Sequence, residues 1–432
     1  MKILCSTPLA LCMLLPLATS ASAQVPVIEI SGANFRPMPI AFPLTVSDPA
    51  VPKARAIEFD STLLFDLSAA GIFRVLDRNS FIADPKEGFG ASSIRFNRWA
   101  DVGADALVKV KLSAEGDQLR GELHVYTVGT QREDFTASHS VAAADARRLA
   151  HHFADALFKS FTKEPGPFET HLTYTRKAAD FKQVWFSDWD GGNALPLATD
   201  GLNILPAVLP DGTGVAFTSF RSGKPLIYVQ KLGGIPSLLV KSNLMATGIA
   251  FSRNGRRIAY TVSNGENSQI LVADTNGAGP KPLTDTPFFI NSSPTWSPDG
   301  RRIAFVSNRG GSPQIYVMNA DGTGALKRLT FQGNYNQTPD WSPRGDLIAF
   351  TARDEMGVFD LFAVNVDTGK IARLTQDQGS NEEPTFSPNG RLIIFSSTRA
   401  GPPQLYVMTA EGNNQLKLPS ATVNATTPSW GP

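Results

Sequence analysis

Cysteine is almost absent from this 432-residue chain: there are two, Cys5 and Cys12, both within the first dozen residues. Whatever follows is expected to fold without disulfides and without a thiolate metal centre. Histidine is scarce too, with five: His124, His139, His151, His152 and His171. None falls near a turn of the repeat described below, so no metal centre lined by histidines is expected. His151 and His152 are adjacent, and neighbours on a helix point about 100° apart. They read as a solvated helix flank. An excess of one charge is also missing. Lys2 apart, 39 basic residues face 39 acidic ones, which excludes the basic surface that nucleic acid or an acidic membrane would require. There is no Gly-x-Ser-x-Gly, no His-Glu-x-x-His and no phosphate-cradling Gly-x-x-x-x-Gly-Lys, so neither an enzymatic activity nor a cofactor is expected.

One long apolar stretch is present, Ile3 to Ala18, preceded by Lys2 and followed by Thr19-Ser20-Ala21-Ser22-Ala23. This reads as a secretory signal peptide over residues 1–23, cut before Gln24, and it is too short to span a bilayer. Leu9-Ala10-Leu11-Cys12 loosely resembles a lipid-attachment sequence. Leu11 is too large for it, however, and the apolar run continues past Cys12. The chain is expected to be exported and soluble.

What the sequence has in abundance is repetition. The anchors are Leu209-Pro210-Asp211-Gly212, Phe251-Ser252-Arg253-Asn254-Gly255, Trp296-Ser297-Pro298-Asp299-Gly300, Trp341-Ser342-Pro343-Arg344-Gly345, Phe386-Ser387-Pro388-Asn389-Gly390 and Trp430-Gly431-Pro432. They are spaced 42, 45, 45, 45 and 44 residues apart. Within one period, Ser292–Trp296, Arg302–Ser307, Gln314–Met318 and Lys327–Thr330 read as four strands separated by turn sequences. One period is then one blade of a β-propeller. Residues 171–199 hold the second to fourth strands of a blade, and Thr427–Trp430 is a first strand with nothing after it. Joining the two predicts six blades over residues 171–432, with the ring closed by both ends and no exposed sheet edge at the seam.

Residues 24–164 lie outside the repeat. Val25–Ile30 reads as a strand and Asn34–Pro39 as irregular. Lys53–Ala70 has helical spacing with Gly71 as its stop, and Ile72–Leu76 returns as a strand. Two alternating runs follow, Ala106–Leu112 and Leu119–Val125, with Phe135–Val141 as a third. Leu149, Phe153, Leu157 and Phe161 recur every fourth residue, the stripe of a closing helix. The expected architecture is an α/β plus all-β chain. It comprises a mobile N-terminal segment (24–36), a small α/β domain (37–164), a linker (165–170) and the propeller.

Binding is expected where the chain crosses from one blade to the next, at the mouth of the channel. The residues there are Asn203, Met245, Thr247, Asn291, Ser292, Ser293, Asn336, Gln337, Glu382, Glu383 and Thr426. Glu382 and Glu383 are the one acidic pair, and on an extended strand they would point to opposite faces. Asp188-Trp189-Asp190-Gly191-Gly192-Asn193 weakly echoes a calcium loop but aligns with a hairpin turn. Trp296, Trp341 and Trp430 read as packing anchors between blades.

The order of signal peptide, small α/β domain and Trp-Ser-Pro-Asp-Gly propeller resembles the TolB family of the Tol–Pal cell-envelope system. So do Ile303-Ala304-Phe305, Gln314–Met318, Arg328-Leu329-Thr330, the terminal Pro428–Pro432, and Arg36-Pro37 leading to Ile40-Ala41-Phe42-Pro43. The resemblance implies a non-enzymatic periplasmic adaptor without a cofactor or metal. It would bind the peptidoglycan-associated lipoprotein Pal at the channel mouth and TolA through its N-terminal segment, here Gln24, Val25, Val27, Ile28, Glu29, Ile30 and Arg36. It further implies a part in outer-membrane integrity and division. The alternative is a periplasmic propeller enzyme or small-ligand module using the channel. A purely structural repeat protein is a third reading.

Overall fold

The computed structural model describes residues 36–82, 84, 87–420 and 422–432. The strand expected over Val25–Ile30, and with it Gln24, Val25, Val27, Ile28, Glu29 and Ile30, lies outside the described residues. Arg36 is exposed at their start. Among the described residues no helix is long and apolar enough to cross a membrane.

The first domain is one mixed sheet covered by two helices. Its strands are β1 (Met38–Ala41), β2 (Val46–Ser47), β3 (Phe73–Val75), β4 (Ala106–Glu115), β5 (Gln118–Thr127) and β6 (Arg132–Ala142). They are ordered β3-β1-β4-β5-β6, with β2 beside β4. β1 lies parallel to β3 and β4, and β4 to β6 are antiparallel. Helices α1 (Lys53–Ala69) and α3 (Ala146–Thr162) pack together on one face. Leu149, Phe153, Leu157 and Phe161 are fully buried on α3, as their spacing predicts, and Gly71 after α1 takes the left-handed conformation with φ +73°. Two segments differ from expectation. Met38–Ala41 is a strand because its backbone pairs on both sides. A short helix, α2 (Phe96–Asp101), forms where Phe96 and Trp99 bury themselves against Tyr126.

Six four-stranded antiparallel sheets follow. Blades one to five begin with first strands at Asn203–Val208, Met245–Phe251, Asn291–Trp296, Asn336–Trp341 and Asn381–Phe386. Blade six takes its first strand from Ala425–Gly431, paired with His171–Ala178. The ring is closed by both ends of the repeat region. The turn after each first strand is built as its residues dictate. In blade three Ser297 Oγ accepts from Arg302 N at 2.8 Å, Asp299 Oδ1 accepts from Arg301 N at 3.0 Å, and Gly300 has φ +68°.

One alignment changes. Val208 pairs with Val215 as Trp296 pairs with Ile303, so Val208, not Leu209, stands at the tryptophan position of blade one. The Leu209-Pro210-Asp211-Gly212 turn is as long as Ser297-Pro298-Asp299-Gly300, and Leu209 takes the place of Ser297; an apolar residue in the serine position shifts the apparent register by one residue.

Strands alternate in direction, so the propeller has two distinct faces. The turns between first and second strands and between third and fourth strands share one face, which carries the first domain. There Asn414 Nδ2 donates to Ser68 O at 2.7 Å and Asn389 Nδ2 to Pro165 O at 2.9 Å. Glu164 accepts from Arg391 through both oxygens, at 2.9 and 2.8 Å. Phe65, Trp189 and Trp430 form a stack with ring centroids 5.5 Å apart at each step. His151 is a correction: it is buried in this junction, its Nδ1 at 2.7 Å from Asp66 Oδ2, because the stripe of α3 faces α1 and the last blade. His152 alone occupies the helix flank, half-buried beside Glu169.

Candidate functional site

Every first strand carries a one-residue irregularity at the same place. Leu205, Gly248, Ser293, Thr338, Glu383 and Thr427 all have φ between +48° and +60°, and the pairing of each first strand with its second slips there. A bulge with a left-handed residue turns that side chain out of the blade. Six such residues form a collar around the channel. Hydroxyls on neighbouring strands secure several of them: Thr351 Oγ1 accepts from Glu383 N at 2.9 Å, and Thr218 Oγ1 from Gly248 N at 3.2 Å. The bulge also removes the geometry that kept Glu382 and Glu383 on opposite faces of a plain strand.

From the collar to the turns runs a cavity of about 540 Å³, lined by the second half of all six first strands. Prolines 210, 298, 343, 388 and 432 narrow its far end. Blade two has Arg253 in that place, and its guanidinium reaches across the channel to donate to Pro388 O in blade five at 3.1 Å. Two carboxylates face the cavity. Burial pushes Asp340 up to about 6, although it accepts from Phe386 N of the next blade at 2.7 Å. Burial likewise pushes Glu383 up to about 7, and Glu383 accepts from Thr427 N.

Of the residues expected at the mouth, Ser293 and Glu383 line this cavity. Met245, Thr247, Ser292, Gln337, Glu382 and Thr426 lie half-buried above it. Asn203, Asn291 and Asn336 are a correction, since all three are buried and turned into their blades. Asn336 Nδ2 donates to Gln314 Oε1 at 2.8 Å and Asn291 Nδ2 to Ser268 O at 3.2 Å. An asparagine recurs there because its amide ties the incoming crossing to the preceding blade.

These asparagines act at one remove. Arg309 Nη2 donates to Asn291 Oδ1 at 2.9 Å, and Arg399 Nη2 to Asn381 Oδ1 at 2.8 Å. Arg221, Arg309 and Arg399 occupy equivalent places in blades one, three and five. They stack over Tyr228, Tyr316 and Tyr406 at 5.1, 5.4 and 4.5 Å, and their Nε atoms donate to Ser219, Ser307 and Ser397. Sequence reasoning missed them, though Ser-x-Arg at the end of the second strand in three repeats was a visible signal. Around them lies an exposed apolar rim: Leu244, Phe288, Ile290, Phe331 and Met356, of which Phe288 is 86% exposed and Phe331 70%. This face is opposite the first domain, because it carries the crossings and the turns between second and third strands.

A propeller family profile described as "TolB beta propeller domain" matches residues 158–432, and one described as "TolB amino-terminal domain" matches residues 26–133. A protein named Tol-Pal system protein TolB from Myxococcus xanthus is 60% identical over 287 residues, 66% of this chain and 67% of its own. Its namesake from Anaeromyxobacter dehalogenans is 46% identical over 277 residues, 64% of this chain and 63% of its own. The crystal structure of TolB from Acinetobacter baumannii superposes with a TM-score of 0.77 at 25% identity, covering 92% of this chain and 97% of that one. With both domains matched in order, the chain belongs to the TolB family.

Proposed function

We propose that the protein is a non-enzymatic periplasmic adaptor of the Tol–Pal system. It binds the peptidoglycan-associated lipoprotein Pal at the channel mouth and TolA through residues 24–36, and so supports outer-membrane integrity and constriction during division. The single observation that carries the first contact is the rim opposite the first domain. It combines exposed phenylalanines with arginines held rigid by stacking, the residue types enriched where protein interfaces concentrate their energy. An apolar surface of that kind marks a docking site. The cavity beneath it offers Glu383 and Asp340, but both carboxylates are occupied by amides of the next blade, an arrangement that builds seams between blades.

The test is calorimetric titration of the chain beginning at Gln24 with soluble Pal, beside a variant carrying Phe288→Ala and Phe331→Ala. The rim variant should bind at least tenfold more weakly, since each interface anchor contributes about 1–2 kcal/mol or more. An unchanged affinity would move the contact off the rim, and no binding by the folded chain would overturn the Pal assignment. Deleting residues 24–36 should abolish TolA binding and leave Pal binding measurable. If that deletion removes only Pal binding, the assignment of the N-terminal segment is wrong.

A further inference from the structure

The junction between the first domain and blade six holds more carboxylate than its cations balance. Asp66 of α1 and Asp190 of the last blade are fully buried, Asp188 is half-buried, and Trp189 between Asp188 and Asp190 is sealed. Facing them from α3 are Arg147 and His151. Arg147 bonds Asp190 through Nη2 and lies 3.5 Å from Asp188 through Nε. Asp155, further along α3, is taken up by the amides of Phe168 and Glu169. Three carboxylates against one guanidinium leave two negative charges when the imidazole is neutral, and charge buried without compensation is strongly unfavourable.

The imidazole itself is arranged in a recognisable way. Its Nδ1 is 2.7 Å from Asp66 Oδ2, and Asp66 is fixed in turn by Trp189 Nε1 at 3.1 Å. Its Nε2 is buried and has no hydrogen-bond partner among the described residues. The ring is 4% exposed, and Nε2 stands 3.9 Å from Asp188 Oδ2. A carboxylate holding one ring nitrogen while the other faces further donors is the support that metal-ligating histidines receive. One atom each from His151, Asp188 and Asp190 come within 4.8 Å of one another. Ligand atoms about 2.1 Å from a zinc ion lie about 3.4 Å apart at tetrahedral angles, so the 3.9 Å His151–Asp188 separation must close by about half an ångström and no separation by more than about 1.4 Å.

We propose that His151, Asp188 and Asp190 form a divalent-cation site of zinc-like chemistry, with nitrogen and oxygen donors, that clamps α3 to the last blade. A dication cancels the two uncompensated charges, and the carboxylate oxygens retain lone pairs beyond those given to Arg147, to the amide of Gly192 and to Asn193 Nδ2, which donates to Asp188 Oδ2 at 2.8 Å. Asp66 is a positioning residue, acting through the ring. The aspartates lie in the Asp188–Asn193 stretch whose spacing echoes a calcium loop. The histidine comes from α3, and folding brings them together.

The untagged chain beginning at Gln24, stripped with chelator and dialysed, is titrated with zinc chloride by calorimetry. One saturating equivalent is expected, together with a higher melting temperature and, with cobalt, visible absorption of a tetrahedral centre. His151→Gln and Asp188→Asn should each weaken zinc binding by roughly a hundredfold or more, and Asp66→Asn by roughly tenfold to a hundredfold at unchanged stoichiometry. His152→Ala, which removes one ring of the half-buried His139–His152 stack, should leave zinc binding unchanged. Should His151→Gln fail to fold, Asp188→Asn carries the test, because that side chain is 22% exposed. Absence of binding by the folded protein overturns the site, leaving a proton as the only occupant of Nε2. Binding that survives Asp188→Asn but is lost in His152→Ala assigns the metal to the surface pair and equally overturns it.

Discussion

The seams between blades and the seam between domains share an apolar filling but differ in how much charge they add to it. Between blades, buried alanine, isoleucine, valine and aromatic side chains pack face to face, and isolated hydrogen bonds run from one first strand to the next. Trp430 N to Thr385 Oγ1 at 3.2 Å is one and Phe386 N to Asp340 Oδ2 is another. Between the domains an apolar contact, the Phe65–Trp189–Trp430 stack, is bordered by charged pairs: Arg147 with Asp190, and Glu164 with Arg391 and Arg344. A repeated seam tolerates exchange of like for like. Single-copy polar contacts specify one docking and leave no alternative register for the first domain.

Trp430 belongs to both seams, so its removal tests whether they are separate. Its ring stacks on Trp189 with planes 6° apart, its Nε1 donates to Thr170 Oγ1 at 2.7 Å, and its strand closes the ring. Trp430→Ala should cost about 3–5 kcal/mol, the range for deleting a buried aromatic side chain. Urea unfolding should show both domains destabilised together. A loss confined to one domain would mean that the seams are energetically independent.

The same division explains what the sequence disclosed. Blade number, ring closure and the stripe of α3 follow from periodicity, which depends on neighbours a fixed distance along the chain. The collar of left-handed residues does not, since no residue type marks it: it is Leu205, Gly248, Ser293, Thr338, Glu383 and Thr427. Val208 is hard to place because Leu209, an apolar residue, stands where the next four repeats have serine, and because the anchor itself is not aromatic. Asn291 looked like a contact residue because a buried amide and an exposed one have the same letter. His151 and Asp188 lie far apart in sequence and come together only when α3 docks, and periodicity carries no information about docking.

Asp340 is a polar residue inside an apolar seam, and it sharpens the contrast through pH. Its carboxyl is pushed up to about 6 by burial. A carboxyl raised in the folded state contributes stability that is present below its unfolded value and is lost as pH rises through about 6. Asp340→Asn keeps an acceptor for Phe386 N without the charge. It should therefore be more stable than the parent by up to about 2 kcal/mol near pH 8, and the gain should disappear near pH 4. Urea midpoints at the two pH values measure this, and a gain that does not grow with pH would show that Asp340 is not held against its charge.

Glu164 is the smallest of these effects and tests the ionic seam directly. It sits at the start of the linker, a third exposed, gripped by Arg391 in a two-pronged contact and by Arg344 at 3.3 Å. These guanidinium contacts hold its carboxyl below the usual range. A carboxylate depressed in this way stabilises the fold above its unfolded value, and that contribution is lost as pH falls through the folded one. Glu164→Gln should lower stability by no more than about 1 kcal/mol, because solvent screens a pair this exposed. The difference should shrink in high salt and vanish in acid. A loss of several kcal/mol insensitive to salt would mean that the linker is held by packing, and that the domain seam is less ionic than its hydrogen bonds suggest.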